Sequence, residues 1–574
     1  MTILRARWLG LGLALALALG ACGGASASAE PSSAEAIAVA STTAVASTTA
    51  PSPAVPLPAL DVALLRRHTT ALADDAMEGR RPGTEGGARA VAYIQAQMEA
   101  LGLRPAGEDG GWTQRVPMRA VTIDPARSSL ELRGADGSTR ALRFGEEIVA
   151  GSLGPAGTTM IEAPLVFAGY GVTAPEHGWD DYDGVDLRGK VAVVLVGDPP
   201  LDDGRFGGAA MTLYGRWTYK YERAWQAGAV GCLVVHETAP ASYGWNVVRS
   251  SWSGERFTLD QPDGEPAPSL ELQGWIHRDL GDALAEAAGS SLEAWHALAL
   301  RPDFEPLPLP LTLAAEVVTT ERSVVDRNVL GMIPGRDRPD EHVLITAHWD
   351  HLGVDPRAAP GEDAIFNGAL DNASGIAAML GVAAGLRTRV EQGRGPGRSV
   401  VLLATTAEEQ GLLGSRHYAE HPLVPAASIV AVANLDSMNV YGPTTTVAVP
   451  GYGLSTLDDR LAEVVAAQGR TVVGDEQPEA GSYYRSDHFS FARVGIPAIT
   501  FRGGTSMVEG GTAAGERRAA EIARRYHTVD DEVDEAWPFT GALQDTEAML
   551  ELVQRVADAP EVPRWTPGRE FGPR

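Results

Sequence analysis

The sequence predicts an α/β fold with a mixed, largely parallel central sheet flanked by helices. Four apolar runs in the C-terminal half, VLGMI, HVLITA, SVVLLAT and SIVAVANL, are continuous rather than alternating. Continuous apolar runs are typical of strands that are buried on both faces of a sheet. Helix-like segments separate the runs, such as ASGIAAMLGVAAGLRTR after Asp371. Repeated alternation of strand and helix predicts the α/β class.

The earlier part of the chain has a different pattern. Helical spacing of apolar residues predicts two helices between 58 and 102, and alternating residues predict antiparallel strands over 113–150. Glycine-punctuated β runs follow, and TYKYERAWQAGAVGCLVVHE predicts a helix that leads into a buried strand containing Cys232. The proline-rich PLPLPLT at 306–312 is expected to be a linker.

Length and charge limit the possible functions. At 574 residues the chain is too long for one ordinary core, so two folded units or one domain with a large insertion are expected. A formal net charge of -27 argues against a nucleic-acid partner, which requires a basic surface. The two cysteines, Cys22 and Cys232, lie in unrelated contexts, so no structural disulfide is expected.

The N-terminus predicts export. Two arginines precede an apolar run over 8–19, which indicates a signal peptide spanning 1–21. LGAC resembles the lipobox of bacterial lipoproteins, in which Cys22 would be lipidated; the alternative is an ordinary secreted protein. Residues 22–57 are rich in Ala, Ser, Thr and Pro and are predicted to be a disordered tether. Gly23 rather than Asp favours the outer membrane, on its periplasmic side, so a membrane-anchored protein of the cell envelope is expected.

Residues able to bind metal follow the apolar runs or lie further downstream: His348, Asp371, Glu409, Asp436 and His527. Because ligands of α/β sheets collect at the carboxyl ends of strands, we expect these side chains to meet. Imidazole and carboxylate donors suit zinc, and two metal ions would share a bridging carboxylate. Glu408, next to Glu409, is placed to carry a proton.

The motifs HxD, DNASG, EEQG, NLDSMN, SDH and YH, in this order, resemble the M28 family of zinc metallopeptidases. The resemblance implies a zinc exopeptidase-like catalytic domain formed by residues 58–154 and 311–560. GYGV, DDYDGVDLRGKVAVV and AGAVGCLVV resemble landmarks of the protease-associated domain, which would be inserted at 155–310.

The family resemblance also implies roles for the individual residues. His348 and Asp436 would hold one zinc ion and Glu409 and His527 the other, with Asp371 and a hydroxide bridging them. Glu408 would be the general base, Asp350 would orient His348, Tyr526 would stabilise the oxyanion, and Arg485 would contact substrate. His351 is expected to support the site without binding metal, since each zinc already has its ligands.

The predicted function is therefore hydrolysis of peptides by a zinc exopeptidase, in particular an aminopeptidase. Three alternatives stay open: a carboxypeptidase of the same fold, a glutaminyl-cyclase-like transferase with one zinc ion, and a non-catalytic binding protein with a protease-associated domain. A carboxypeptidase would need a basic pocket, for which Arg485, Arg502 and Arg524 are available. Ser486, Asp487 and His488 are adjacent in sequence and so cannot adopt the geometry of a serine-hydrolase triad.

Overall fold

The computed structural model describes residues 57–572, apart from 202, 209, 253, 261–268 and 357. The predicted signal peptide, the lipidation site at Cys22 and almost all of the tether lie outside the described residues. Residues from Leu57 onward form one unit in which every predicted site residue except Cys22 is found.

The strands of the described residues are numbered in chain order. They are β1 (Arg104–Pro105), β2 (Thr113–Ile123), β3 (Ser129–Gly134), β4 (Thr139–Ala141), β5 (Ile148–Gly151), β6 (Gly157–Phe167), β7 (Thr173–Ala174), β8 (Trp179–Asp180), β9 (Val191–Leu195), β10 (Gly231–His236), β11 (Arg256–Leu259), β12 (Leu272–His277), β13 (Leu307–Ile333), β14 (Arg338–His348), β15 (Gly353–Val354), β16 (Ile365–Phe366), β17 (Arg398–Thr405), β18 (Ile429–Asn434), β19 (Thr446–Val449), β20 (Thr471–Gly474), β21 (Ala498–Thr500) and β22 (Arg502–Gly503).

The helices are numbered in the same way. They are α1 (Val62–Leu72), α2 (Glu85–Ala100), α3 (Trp217–Gln226), α4 (Thr238–Ala241), α5 (Trp245–Trp252), α6 (Arg278–Ala287), α7 (Leu292–Ala299), α8 (Ser374–Glu391), α9 (Leu413–Glu420), α10 (Leu457–Ala467), α11 (His488–Arg493), α12 (Gly511–Arg525) and α13 (Thr540–Asp558).

One large mixed sheet organises the molecule, and the predicted fold class is confirmed. Its main path is β21-β18-β14-β17-β13-β6-β9-β10-β12-β5. The strands β21, β18, β14 and β17 are parallel, and so are β6, β9, β10 and β12. β13 is antiparallel to both of its neighbours on this path. The main path therefore contains two groups of four parallel strands joined by the antiparallel β13, and β5 lies antiparallel to β12 at one edge.

Helices cover both faces of the half that contains β14. Val343 and Ile345 of this strand pack into the core formed with α1, α8 and α13, whereas Leu344 packs on the other face against residues of α9 and α11. This explains why the run is apolar at every position rather than at alternate ones. Among the described residues, the one helical stretch that is long and apolar enough to cross a membrane is Ala369–Glu391, and 94% of its apolar window is buried inside the fold.

The long strand β13 belongs to both halves of the sheet. Its first part pairs with β6, and its last part pairs with β17. The expectation that 306–312 is a linker is therefore wrong, because the strand begins at Leu307. Pro308 and Pro310 face outward while Leu309 is buried, and the β6 ladder is irregular between Pro308 and Thr312. Proline is compatible with extended backbone where no ladder hydrogen bond is needed.

Candidate metal centre

The predicted metal ligands lie together at the carboxyl edge of the parallel strands. His348 is the last residue of β14, Glu408 and Glu409 follow β17, and Asp436 follows β18. Asp371 lies in the turn Ala369–Ala373 just before α8, and His527 follows α12. Three strands that end side by side therefore supply most of the site, as expected for an open α/β sheet.

The spacing of the donor atoms fits metal coordination. His348 Nε2 is 3.1 Å from Asp371 Oδ1 and 3.6 Å from Asp436 Oδ1. His527 Nε2 is 3.1 Å from Glu409 Oε2 and 3.4 Å from Asp371 Oδ2. Ligand atoms about 2.05 Å from a tetrahedral zinc ion would be roughly 3.3 Å apart. The two oxygens of Asp371 thus face two different imidazoles, which is the arrangement that a bridging carboxylate requires.

Buried groups hold the turn that carries Asp371. Asp531 accepts hydrogen bonds from the backbone N–H groups of Leu370 (3.0 and 3.1 Å) and Asp371 (3.1 Å). The fully buried Arg80 donates to the carbonyl oxygen of Gly368 and to three other backbone carbonyls. At Gly368, φ is +59° and a Cβ would lie 2.6 Å from the ring of His351. Glycine at this position therefore lets the turn approach the histidine closely.

Asp350 is buried behind His348, but the contact between them differs from the predicted one. His348 Nδ1 donates to the backbone carbonyl of Asp350 at 3.1 Å, and the nearer carboxylate oxygen is 3.8 Å away. The Asp350 carboxylate instead accepts the backbone N–H of Glu408 at 3.1 Å. The hydrogen bond at Nδ1 leaves Nε2 of His348 free to bind metal. Asp350 therefore positions both the histidine and the loop that carries Glu408.

His351 supports Glu409. Its Nδ1 donates to Glu409 Oε1 at 2.6 Å, while Oε2 of the same carboxylate faces His527. His351, Asp371 and Glu409 form one of the clusters whose donor atoms are close enough to hold a metal ion. Since Nδ1 of His351 is engaged with Glu409, we retain the prediction that His351 orients this residue rather than binding metal.

A chain of hydrogen bonds orients Asp436. Ser486 Oγ donates to Asp436 Oδ2 at 2.6 Å and accepts from Asn434 Nδ2 at 2.6 Å. Thr346 Oγ1 in turn donates to Asn434 Oδ1 at 2.7 Å. Ser486 belongs to the SDH motif that resembles the M28 family, but the motif does not predict this role for its serine. The partners of Ser486 come from two other strands, so its own neighbours in sequence do not indicate them.

Ser486→Ala is expected to lower metal affinity by about 10- to 100-fold, because Asp436 loses the donor that fixes its second oxygen. Metal titration followed by calorimetry checks this prediction. Ser482→Ala is the control, because Ser482 and Ser486 both line a cavity next to the predicted ligands. No hydrogen bond between Ser482 and a predicted ligand is found among the described residues, so this variant should have nearly unchanged metal affinity. Equal metal affinities for the Ser486 variant and the wild-type protein would contradict the prediction.

The close packing of acidic side chains in this site shifts their pKa values. Burial and the charges of Glu409 and Asp436 raise the pKa of Glu408 well above its usual value, although His348 opposes this shift. Burial likewise raises the pKa of Asp350, to about 8. For Asp371, burial is outweighed by hydrogen bonds to His348 and His527, and its pKa is lowered well below the usual value. Such an accumulation of negative charge fits a site that binds cations.

Tyr526 and Arg485 both line a cavity of about 200 Å³ above the predicted ligands. The Tyr526 ring stacks on that of His527, with centroids 3.9 Å apart. Arg485 Nη2 donates to the carbonyl oxygen of Ala241 at 3.0 Å and to Ser242 Oγ at 2.8 Å. Arg485 therefore connects the cavity to residues 155–310, which we call segment 155–310.

A second cavity, of about 150 Å³, adjoins the first and is lined by Glu408, Glu409, Tyr526 and His527 on one side. Its other side comes from segment 155–310 and includes Arg216. Arg216 was not predicted from the sequence, because it lies in no recognisable motif and almost two hundred residues before Glu408.

Comparisons with known proteins agree with this geometry. Residues 328–551 match the model described as Peptidase family M28. The chain is 25% identical over 381 residues to "Probable glutamate carboxypeptidase VP8" from Zea mays, covering 62% of this chain and 47% of that protein. It is 28% identical over 228 residues to "Aminopeptidase YwaD" from Bacillus subtilis, covering 39% and 42%. The chain thus spans less than half the length of either relative.

A solved structure shows the same fold. The "Aminopeptidase from Aneurinibacillus sp. strain AM-1" superposes with a TM-score of 0.50 at 18% sequence identity, covering 88% of this chain and 95% of that one. All the predicted metal ligands, together with Glu408, lie inside the segment that matches the family model. The match to Peptidase family M28 thus covers the part of the chain that contains the candidate metal centre, and it supports a metallopeptidase.

Proposed function

We propose that the protein is a zinc-dependent aminopeptidase that removes N-terminal residues from peptides, using two zinc ions. The observation that carries this proposal is the geometry of Asp371, whose two oxygens lie 3.1 and 3.4 Å from the Nε2 atoms of His348 and His527. Two sets of donors that share one carboxylate are what a site with two metal ions requires. The names of the relatives include both aminopeptidases and a carboxypeptidase, so they do not indicate which end of the peptide is attacked.

The cavity above the predicted ligands favours the amino end of a peptide. Its lining includes four carboxylates, Asp371, Glu408, Glu409 and Asp436, together with Arg485 and Arg502. Two zinc ions would offset the charge of the three predicted ligands, and the carboxylate of Glu408 would remain to attract a free α-ammonium group. A volume of about 200 Å³ is also below the usual range for drug-sized ligands, so it suits the end of a chain.

The residues divide the chemistry between them. Zinc held by the two donor sets would supply Lewis acidity and a water of lowered pKa. Glu408 would take the proton of the attacking water and pass it to the leaving amine. Tyr526, at the edge of the same cavity, would donate a hydrogen bond to the oxyanion. His351, Asp350 and Ser486 would keep the ligands oriented.

The test is a substrate profile measured with and without a chelator. We expect amino-acid anilides and peptides with a free amino end to be hydrolysed, and Nα-acetylated peptides to be resistant. Chelator should abolish hydrolysis and added zinc should restore it, because the site depends on metal. Cleavage of Nα-acetylated peptides from the carboxyl end would instead establish the carboxypeptidase alternative, and cyclisation of N-terminal glutamine would establish the transferase.

Two further parts of the proposal depend on sequence motifs alone. We infer that Cys22 is lipidated and anchors the protein in the bacterial cell envelope, and that segment 155–310 is a protease-associated domain. The anchor would place the site near peptides of the periplasm. Release of a Cys22→Ala variant from the membrane fraction would support the anchor, whereas an unchanged membrane fraction would exclude it.

A further inference from the structure

We propose that a third cavity, between segment 155–310 and the helices α9 and α11, binds the part of a peptide substrate that follows the scissile bond. This cavity has a volume of about 520 Å³ and is lined by residues of α3, β11 and β12 on one side and of α9 and α11 on the other. The inference rests on the proposed function, because it specifies which peptides the same centre would cleave best. It predicts a preference for peptides of several residues over dipeptides.

The three cavities form a row that begins at the predicted metal ligands. Glu408 and Tyr526 line both the first and the second cavity. Gly411 and Leu412, in the loop after β17, line both the second and the third, as Arg216 does. Apart from its neighbours in the chain, no described atom lies within 4 Å of the position that a Cβ would take at Gly411, so the space beside this residue is open. A peptide with its first residue in the first cavity could therefore extend through the second cavity into the third.

Gln273 supplies an unpaired hydrogen-bond donor at the third cavity. It lies in β12 and lines the cavity, although the residue is only 5% exposed. Its Nε2 atom is buried without an acceptor among the described residues. Buried amide groups are usually paired, because a buried donor without an acceptor destabilises the fold. The backbone carbonyl of a bound peptide would provide the missing acceptor.

The packing of β12 gives no other reason for a polar side chain at this position. The neighbouring side chains of the strand, Leu272, Trp275 and Ile276, are apolar and buried. The strand is held between β10 and β5 by backbone hydrogen bonds, which any residue except proline provides. An apolar side chain of similar size, such as methionine, would leave no donor unpaired. Gln273 is therefore better explained by a ligand than by the sheet.

The charges at the third cavity are nearly balanced. Glu222 pairs with Arg493 at 3.5 Å, and Arg416 pairs with Glu420 at 3.1 Å. Arg216 is the one further charged residue among the described residues that line this cavity. With most of the charges paired, an uncharged stretch of peptide is a suitable occupant.

The rim of the third cavity is partly apolar. Trp225 of α3 and Val494, just after α11, line the cavity and are 41% and 49% exposed. Large apolar side chains exposed beside a cavity are typical of binding sites. The first two residues of a substrate would occupy the first and second cavities. We therefore expect apolar side chains to be preferred from the third residue of the peptide onward.

The test measures kcat/KM for a series of peptide amides of increasing length. The shortest is leucyl-alanine amide, which is lengthened by isoleucine at the third position and then by alanine at the fourth and fifth. The C-terminal amides keep the end of each peptide uncharged, and the readout is the initial rate at which leucine is released. We expect kcat/KM of the wild-type protein to rise about 10-fold along the series, because contacts with distant parts of a substrate contribute to the rate.

The variants are Gln273→Met and Trp225→Ala, with Gln226→Met as the control. Gln226 is an exposed residue of α3 that donates to Glu222 Oε1 at 3.4 Å and does not line the cavity. We expect Gln273→Met to lower kcat/KM for the longest peptide about 3- to 10-fold, because a hydrogen bond is lost, and to leave leucyl-alanine amide unaffected. Trp225→Ala should lower the value for the longest peptide about 3-fold, chiefly through KM. Gln226→Met should match the wild-type protein on every peptide.

Each outcome has a defined meaning. A rise of kcat/KM with length that Gln273→Met reduces supports the proposal. Equal values for all lengths in the wild-type protein overturn it, and so do equal losses on short and long peptides in Gln273→Met, since the glutamine would then act through the fold. If Gln273→Met does not fold, an unchanged rise with length in Trp225→Ala overturns the proposal instead. Absence of hydrolysis of any peptide or of leucine anilide would refute the proposed function as well, whereas hydrolysis that does not depend on length would refute this inference alone.

Discussion

Glu408→Gln is expected to lower kcat by about 10²- to 10⁴-fold, because the amide cannot transfer the proton. The metal content should not change. Glu408 Oε2 is 4.0 Å from His348 Nε2, further than the 3.1 and 3.6 Å of the two carboxylates predicted to share a metal ion with that imidazole. The side chain thus lies beside the predicted ligands of that metal ion. Steady-state hydrolysis of leucine anilide and measurement of zinc by atomic absorption check both parts.

The control for this variant is Glu420→Gln, which alters an exposed acid of α9 that pairs with Arg416. Its activity should match that of the wild-type protein. Near-normal hydrolysis by Glu408→Gln would exclude the proposed proton transfer. Loss of zinc from that variant would show that Glu408 is a ligand, since its carboxylate also lies in a group close enough to bind metal.

Asp371→Asn is expected to reduce hydrolysis to background and to lower the metal content from about two ions to one or fewer. The amide is isosteric with the carboxylate, but it removes the negative charge that lies between His348 and His527. Two cations held close together depend on that charge. Zinc stoichiometry after dialysis, measured together with hydrolysis of leucine anilide, checks this expectation.

Asp363→Asn is a matched control, because Asp363 is an exposed acid in the loop before Asp371 and caps the backbone N–H of Ile365. It should retain both metal and activity. If Asp371→Asn kept two zinc ions and its activity, the assignment of the bridge would have to be abandoned. If it kept one ion and substantial activity, a single-metal reaction would be the better description.

Local patterns in the sequence were sufficient to predict the sheet and the grouping of the ligands. Each apolar run ends at a polar residue, and parallel strands bring their carboxyl ends to one edge, so His348 and Asp436 had to lie close together. The linker expected at 306–312 was wrong because proline was interpreted as a break. The residues of a strand do not indicate which other strands it pairs with.

Contacts between distant residues were beyond sequence reasoning. The sequence suggested that Asp350 orients His348, but only the structure shows that its backbone carbonyl makes that bond while its carboxylate holds the loop of Glu408. Arg216 illustrates the same limit. Its relation to the metal centre depends on how segment 155–310 packs against the loops after β17, and no local motif records that packing.

The shared strand β13 has a mechanical consequence. The backbone of β13 is hydrogen-bonded to β6 at one end and to β17 at the other. Segment 155–310 therefore belongs to the same continuous sheet as the strands that carry the predicted ligands. A hinged lid would require a flexible connection, and this connection is a β-ladder instead. We therefore expect segment 155–310 to keep its position beside the predicted ligands, set when the chain folds, rather than to open and close with each turnover.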